Sequence, residues 1–255
     1  MLKINNLSKG FGGLWALKEI NLEVQGGKIT SIIGPNGAGK TTLFNCITGF
    51  SRPTTGNIVF YDSDITGLPP NRITKTGIAR TFQNIRLFKD LTVIENVLIG
   101  THCLRAYGLF NALLHGRHYK SQESLAIEDA HACVEALGLS DYTHYKASSL
   151  PYGLQKRLEI ARALATKPRL LLLDEPSAGM NPAETIELMQ LIRELNSNGL
   201  SILLIEHDMN LVMNLSDQVV VLNYGVKIAE GKPEQIRNNP EVVEAYLGKG
   251  VQCLR

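Results

Sequence analysis

The sequence predicts an α/β protein with a β-rich N-terminal part and a helical part set between strands of the core. Three observations predict it. Residues 34–41 read Gly-Pro-Asn-Gly-Ala-Gly-Lys-Thr, which fits G-x-x-x-x-G-K-[ST] at every fixed position. The run before it, 28–33 (KITSII), is apolar and β-branched, and the run after it, 40–50, puts Leu43 and Ile47 on one helical face. Residues 170–176 (LLLLDEP) read as a buried strand that delivers two carboxylates to the edge where α/β sheets hold ligands. From about 91 to 165 the apolar spacing turns helical, at Ile94, Val97 and Leu98 and again at Leu125, Ala132 and Leu137.

Strand, glycine loop and helix make a triphosphate cradle. Gly34, Gly37 and Gly39 reach backbone angles closed to other residues, so the loop can curl and point its N–H groups inward. The helix starting near Lys40 adds the positive end of its dipole. Lys40 supplies a point charge for the β- and γ-phosphates, and the Thr41 hydroxyl is placed to ligate Mg²⁺. The candidate nucleotide contacts are therefore Gly34, Pro35, Asn36, Gly37, Ala38, Gly39, Lys40, Thr41 and Thr42.

In the N-terminal part, 2–7, 16–24 and 57–61 read as short strands separated by glycine turns. Phe11 is flanked by glycines, where an exposed aromatic gains little from core packing and suits a stacking role. The stretch 101–123 is mixed and fits two short helices and a loop. Residues 150–155 (LPYGLQ) precede a helix with Leu154, Leu158, Ala161 and Ala165 on one face, and Pro151 suits its first turn. Asn181 and Pro182 start a helix that Gly199 stops. Residues 201–205 form another buried strand, delivering Glu206-His207-Asp208 to the carboxylate edge. Tyr224-Gly225 joins a hairpin, and 240–247 reads as a closing helix.

The chain has 255 residues, 44% hydrophobic and 20% charged, with a net charge of +2, so no nucleic-acid partner is implied. Four cysteines without C-x-x-C spacing suit a reduced, cytosolic protein, and His115 with His118 reads as a solvated face rather than a metal pair. No apolar run approaches a membrane span, and the first residues lack a signal-type core.

Asp174 is the expected second metal contact beside Thr41, and Glu175 is free to orient and deprotonate a water attacking the γ-phosphate. A lone His207 at that edge is more often structural, though neutral imidazole can bond a phosphate oxygen.

The order of phosphate loop, Gln83, the 150–155 motif, Asp174-Glu175 and His207 resembles the ATP-binding subunit of ABC transporters over essentially the whole chain. Residues 80–84 (RTFQN), 157–162 (RLEIAR), 178–182 (AGMNP), 205–209 (IEHDM) and 233–240 (PEQIRNNP) are similar to the branched-chain amino-acid importer type of bacteria. The resemblance implies a RecA-like P-loop NTPase core with an antiparallel β subdomain (1–89 and 166–255) and an α-helical subdomain (90–165). It implies ATP and Mg²⁺ as cofactors, with Phe11 stacking on adenine and Gln83 sensing metal and water. His207 would act as the γ-phosphate switch. Two subunits, alike or different, would close head to tail, with Tyr152 and Gly153 of one facing the ATP of the other. The implied partners are integral-membrane permease subunits, whose coupling helix would sit near Gln83, and indirectly a periplasmic or extracellular solute-binding protein. The implied location is the cytoplasmic face of the cell membrane.

Two departures from the family pattern stand out. Pro151 occupies the place of a serine that contacts the opposite γ-phosphate, and proline offers neither hydroxyl nor N–H. Asn181 stands where an aspartate is usual, so it can cap a helix but not ion-pair. The alternatives are an ATPase of a related lipopolysaccharide or lipid exporter and a soluble non-transport ABC ATPase. A kinase would need an acceptor pocket that the sequence does not suggest.

Overall fold

The computed structural model describes residues 1–104 and 117–247. Among the described residues, ten strands form in order: β1 (Leu2–Phe11), β2 (Leu14–Val24), β3 (Ile29–Ile33), β4 (Thr55–Phe60), β5 (Ser63–Asp64), β6 (Ile78–Arg80), β7 (Leu170–Asp174), β8 (Ser201–Ile205), β9 (Gln218–Asn223) and β10 (Val226–Gly231). The helices of the described residues are α1 (Lys40–Ile47), α2 (Pro70–Thr76), α3 (Val93–Thr101), α4 (Arg117–Ala136), α5 (Tyr152–Leu164), α6 (Pro182–Ser197), α7 (Met209–Leu215), α8 (Pro233–Arg237) and α9 (Pro240–Leu247). His115 and Cys253 lie outside the described residues, as does the side chain of His118.

Two sheets organise the described residues. The first is antiparallel with order β2-β1-β4-β5, and the second runs β10-β9-β3-β8-β7-β6. In the second, β9, β3, β8, β7 and β6 are parallel, and only β10 is antiparallel, through the Tyr224-Gly225 hairpin. Tyr224 and Gly225 have φ of 46° and 79°, the positive pair that a two-residue hairpin of this twist requires.

The four leucines of β7 explain why a run without period-two alternation folds as a strand. Leu170 and Leu172 pack toward the N-terminal sheet and α1, beside Ile4, Phe44 and Phe60. Leu171 and Leu173 pack the other way, against Leu158 of α5 and Leu188 and Ile192 of α6. Each face is fully covered, and each such leucine contributes about 1.5–3 kcal/mol by leaving water.

Differences from the sequence reading are local. The helix expected over 40–50 stops at Ile47, because Gly49 turns at φ 77° and leaves Phe50 outside. Pro151 lies one residue before α5, as its N-cap with φ −52° and ψ 152°, rather than in the first turn. The strand β6 and the short helices α2, α7 and α8 go beyond the sequence reading; three to seven residues carry too little period to be seen. Asn181 does cap α6, in a reciprocal box with Glu184.

Cys46 is fully buried in α1 beneath the phosphate loop, and burial pushes its thiol up to about 11. At pH 8 its thiolate is scarce, so iodoacetamide is expected to label exposed Cys103 well before Cys46, read by peptide mass mapping. Equal labelling of the two in folded protein would contradict the packing described.

Candidate active site

The loop between β3 and α1 is built by its glycines. Gly37 and Gly39 take φ of 79° and 103°. A Cβ on Gly39 would stand 2.6 Å from the Ala16 carbonyl oxygen and 2.8 Å from Leu17 Cδ2, so β2 approaches too closely for any side chain. The β9–β10 turn buttresses the same loop, the Gly225 N–H donating to the Ala38 carbonyl at 3.1 Å. The loop frames a cavity of about 290 Å³ lined by Ala16, residues 36–42, Gln83, Glu175 and His207.

Lys40 points its ammonium back over the loop, donating to the Gly34 carbonyl at 2.6 Å and the Pro35 carbonyl at 3.0 Å. Burial lowers its pKa, while the negative charges of Glu175 and Asp174 hold it up. A cation is therefore stationed at the cradle by contacts it can exchange for phosphate oxygens.

The other side of the cavity is a single carboxylate with two partners. Glu175 Oε1 lies 2.5 Å from His207 Nε2, and Glu175 Oε2 accepts from Gln83 Nε2 at 2.8 Å. The three residues follow β7, β8 and β6, which are adjacent parallel strands, so their C-terminal ends meet at one edge. Glu175 adopts φ 49°, left-handed for a side-chain-bearing residue, a strained conformation of the kind that clusters at functional sites. Glu206 holds the frame. Its buried carboxylate accepts from the Ser177 N–H at 2.9 Å, the Ser177 hydroxyl at 2.7 Å and the His207 N–H at 3.1 Å.

Asp174 is 3% exposed and lies just behind the cavity. Its Oδ2 accepts from Arg80 Nη2 at 2.7 Å. Arg80 Nη1 reaches Asn45 Oδ1 at 2.7 Å and Thr48 Oγ1 at 3.1 Å, and the guanidinium lies over Phe44 and Phe82. Sequence reasoning missed this role of Arg80; a lone arginine between apolar residues and directly before the Gln83 segment was the available signal.

Three candidate residues lie apart from the cavity. Phe11 is 52% exposed at the end of β1, with Lys9 Nζ 4.6 Å from its ring centroid. Tyr152 and Gly153 begin α5, where Tyr152 packs on Gly179 and Gly153 on the Glu184 side chain. Neither lines the phosphate cavity of its own chain.

A glycine cradle with a buried lysine, facing a strand-end carboxylate held by glutamine and histidine, defines a phosphate-loop nucleoside triphosphatase. The family model described as "ABC transporter" matches residues 17–178, and that described as "Branched-chain amino acid ATP-binding cassette transporter" matches residues 226–252. The high-affinity branched-chain amino acid transport ATP-binding protein LivG of Escherichia coli strain K12 is 51% identical over 250 residues, covering 98% of each chain. BraF of Pseudomonas aeruginosa, of the same description, is 47% identical with the same coverage. The crystal structure of the ADP conformation of MJ1267, an ATP-binding cassette of an ABC transporter, superposes with a TM-score of 0.85 at 38% identity, covering 98% of this chain and 99% of the other. The chain thus belongs to the ABC transporter ATP-binding family, in its branched-chain amino-acid branch, and is an ATP-hydrolysing cassette. A dimeric cassette, MJ0796 in a post-hydrolysis state bound to ADP and Pi, is similar at 27% identity and a TM-score of 0.77 over 91% of this chain and 99% of the other.

Proposed function

We propose that this chain is the ATP-hydrolysing subunit that powers import of branched-chain amino acids, working as one of a pair of cassettes bound to membrane permease subunits. The single observation that carries the paired reading is the separation of Tyr152-Gly153 from the cavity that Gln83, Glu175 and His207 share. Tyr152 and Gly153 do not line the cavity of their own chain, so a second cassette supplies these contacts to each site.

Within one site, the loop N–H groups and Lys40 bind the β- and γ-phosphates, and Phe11 stacks on the base. Glu175 takes the proton of the attacking water, with Gln83 and His207 fixing its two oxygens. The donors also suit Mg²⁺, a cation that prefers hard oxygens. The Thr41 hydroxyl, the Gln83 amide oxygen and the second oxygen of Asp174 are available, because Arg80 engages Asp174 Oδ2 and Gln83 uses its Nε2 on Glu175. Bound there, Mg²⁺ would neutralise charge developing on the phosphates. The set holds too few carboxylates to resemble an all-protein metal cage, and among the described residues no cluster of three His, Cys, Asp or Glu ligands occurs.

No helix of the described residues is long and apolar enough to cross a membrane, so the chain would reach the bilayer through its partners. The docking surface would be the cavity of about 330 Å³ between β6, α3 and α5, lined by Arg80, Phe88, Glu159 and Arg162 and adjoining the Gln83 segment. The test is purification from native membranes followed by reconstitution into vesicles. Co-isolation with integral-membrane subunits and ATP-dependent uptake of leucine, isoleucine and valine are expected. Uptake of other solutes alone would reject the substrate, and absence from the membrane fraction would reject the importer.

Pro151 bears on the same interface. The Pro151→Ser variant adds a hydroxyl and an N–H before α5, and is expected to raise dimer closure on ATP and hydrolysis about tenfold, the effect of one charge-assisted hydrogen bond. Unchanged hydrolysis and unchanged dimerisation would show that position 151 does not face the partner's phosphate.

A further inference from the structure

Two charged residues of α5 are buried away from any nucleotide contact. Lys156 is 3% exposed and Glu159 is 2% exposed. Both turn toward the segment that carries Gln83. Glu159 Oε1 accepts from the Phe82 N–H at 3.4 Å and the Arg86 N–H at 3.3 Å. Lys156 Nζ donates to the Gln83 carbonyl at 2.7 Å. The far end of the segment is held as well, by Asn96 of α3, which bonds both the N–H and the carbonyl of Phe88 at 2.9 Å and 3.0 Å.

Burying such charges is costly, and an apolar pair would fill the same space with less desolvation. Glu159 Oε2 has no hydrogen-bond partner, so the carboxylate is not there to complete a saturated structural network. Besides facing each other's charge, the two side chains grip the backbone on either side of the Gln83 side chain. The other end of Gln83 donates to Glu175.

We propose that Glu159 and Lys156 are positioning residues that make the Gln83 segment travel with α5, the helix headed by Tyr152-Gly153. A displacement of that helix, as when a second cassette engages its start, then moves the Gln83 amide relative to Glu175. The site that reads the partner is coupled in this way to the carboxylate of its own chain's phosphate cavity. The inference rests on the assignment of Gln83 and Glu175 to the hydrolytic site.

The test uses the full chain, with backbone hydrogen exchange over 81–87, steady-state ATP hydrolysis and thermal melting to verify folding. In Glu159→Ala, exchange at Phe82 and Arg86 should rise about tenfold while β7 amides keep their protection. Its kcat should fall about tenfold with KM for ATP unchanged, because the loop cradle is untouched. Glu159→Gln retains an acceptor oxygen and should restore both readouts. Lys156→Met, which frees the Gln83 carbonyl and also removes the cation facing Glu159, should show the same split between kcat and KM and serves should Glu159→Ala not fold. Unchanged exchange in folded Glu159→Ala, or failure of the glutamine to restore it, overturns the proposal. So does a Lys156→Met enzyme with unaltered kcat. Normal hydrolysis by Gln83→Ala would instead strike the assignment of Gln83, leaving exchange at Phe82 and Arg86 to judge the grip itself.

Discussion

Glu175→Gln is expected to lower kcat by about 10²- to 10⁴-fold, the range for loss of a positioned general base, while ATP still binds. The carboxylate ends a buried strand, with one oxygen against His207 and the other held by Gln83. Its left-handed φ of 49° costs about 1–3 kcal/mol in a side-chain-bearing residue and keeps the carboxylate aimed at the cavity. Glutamine fits the same volume and backbone angle but cannot accept a proton. The loop and the Lys40 hydrogen bonds to the Gly34 and Pro35 carbonyls are left in place, so binding survives. With cleavage blocked, ATP-bound chains should accumulate as dimers, visible by size-exclusion chromatography with nucleotide present. A variant that turns over ATP at the normal rate would remove Glu175 from the role of base.

Arg80→Met is expected to cost about 3–5 kcal/mol of stability, because it strands the Asp174 carboxylate in the interior. The pair is nearly sealed, with side-chain exposures of 5% and 4%. Arg80 also ties Asn45 and Thr48 of the phosphate-loop helix region to the end of β7. For a chain of this size the loss corresponds to roughly 10 °C in Tm, measured by calorimetry. Arg80→Lys keeps the charge but lacks the planar fork that reaches three acceptors, so it should fall between the two. Removing both charges, Arg80→Met with Asp174→Asn, should recover part of the stability but none of the hydrolysis. If Arg80→Met melts like the parent, the ion pair contributes nothing measurable.

The phosphate loop, the leucine strand and its two carboxylates were legible because each couples a fixed chemical pattern to an unbroken apolar run. The capped start of α6 was legible for a similar reason, since Asn181 and Pro182 act through local backbone geometry. Arg80 and Glu159 were not read as partners of Asp174 and of the Gln83 segment. Their contacts span 94 and 77 residues in sequence, and nothing local reports them. A weaker trace existed on α5, where Gly153, Lys156, Ile160 and Ala163 share a buried face that carries a charge. A lysine on the covered side of a helix implies a buried acceptor, and here that acceptor is the Gln83 carbonyl. Strand β6 escaped notice because three residues offer no period, although it delivers both Arg80 and Gln83.

Whether hydrolysis needs two chains is tested most directly by ATPase activity per molecule over a dilution series, with the oligomeric state followed by sedimentation. Activity per chain should fall steeply as ATP-bound dimers dissociate, since Tyr152 and Gly153 cannot serve the cavity of their own chain. Constant activity per chain down to concentrations at which only monomer sediments would contradict a shared site.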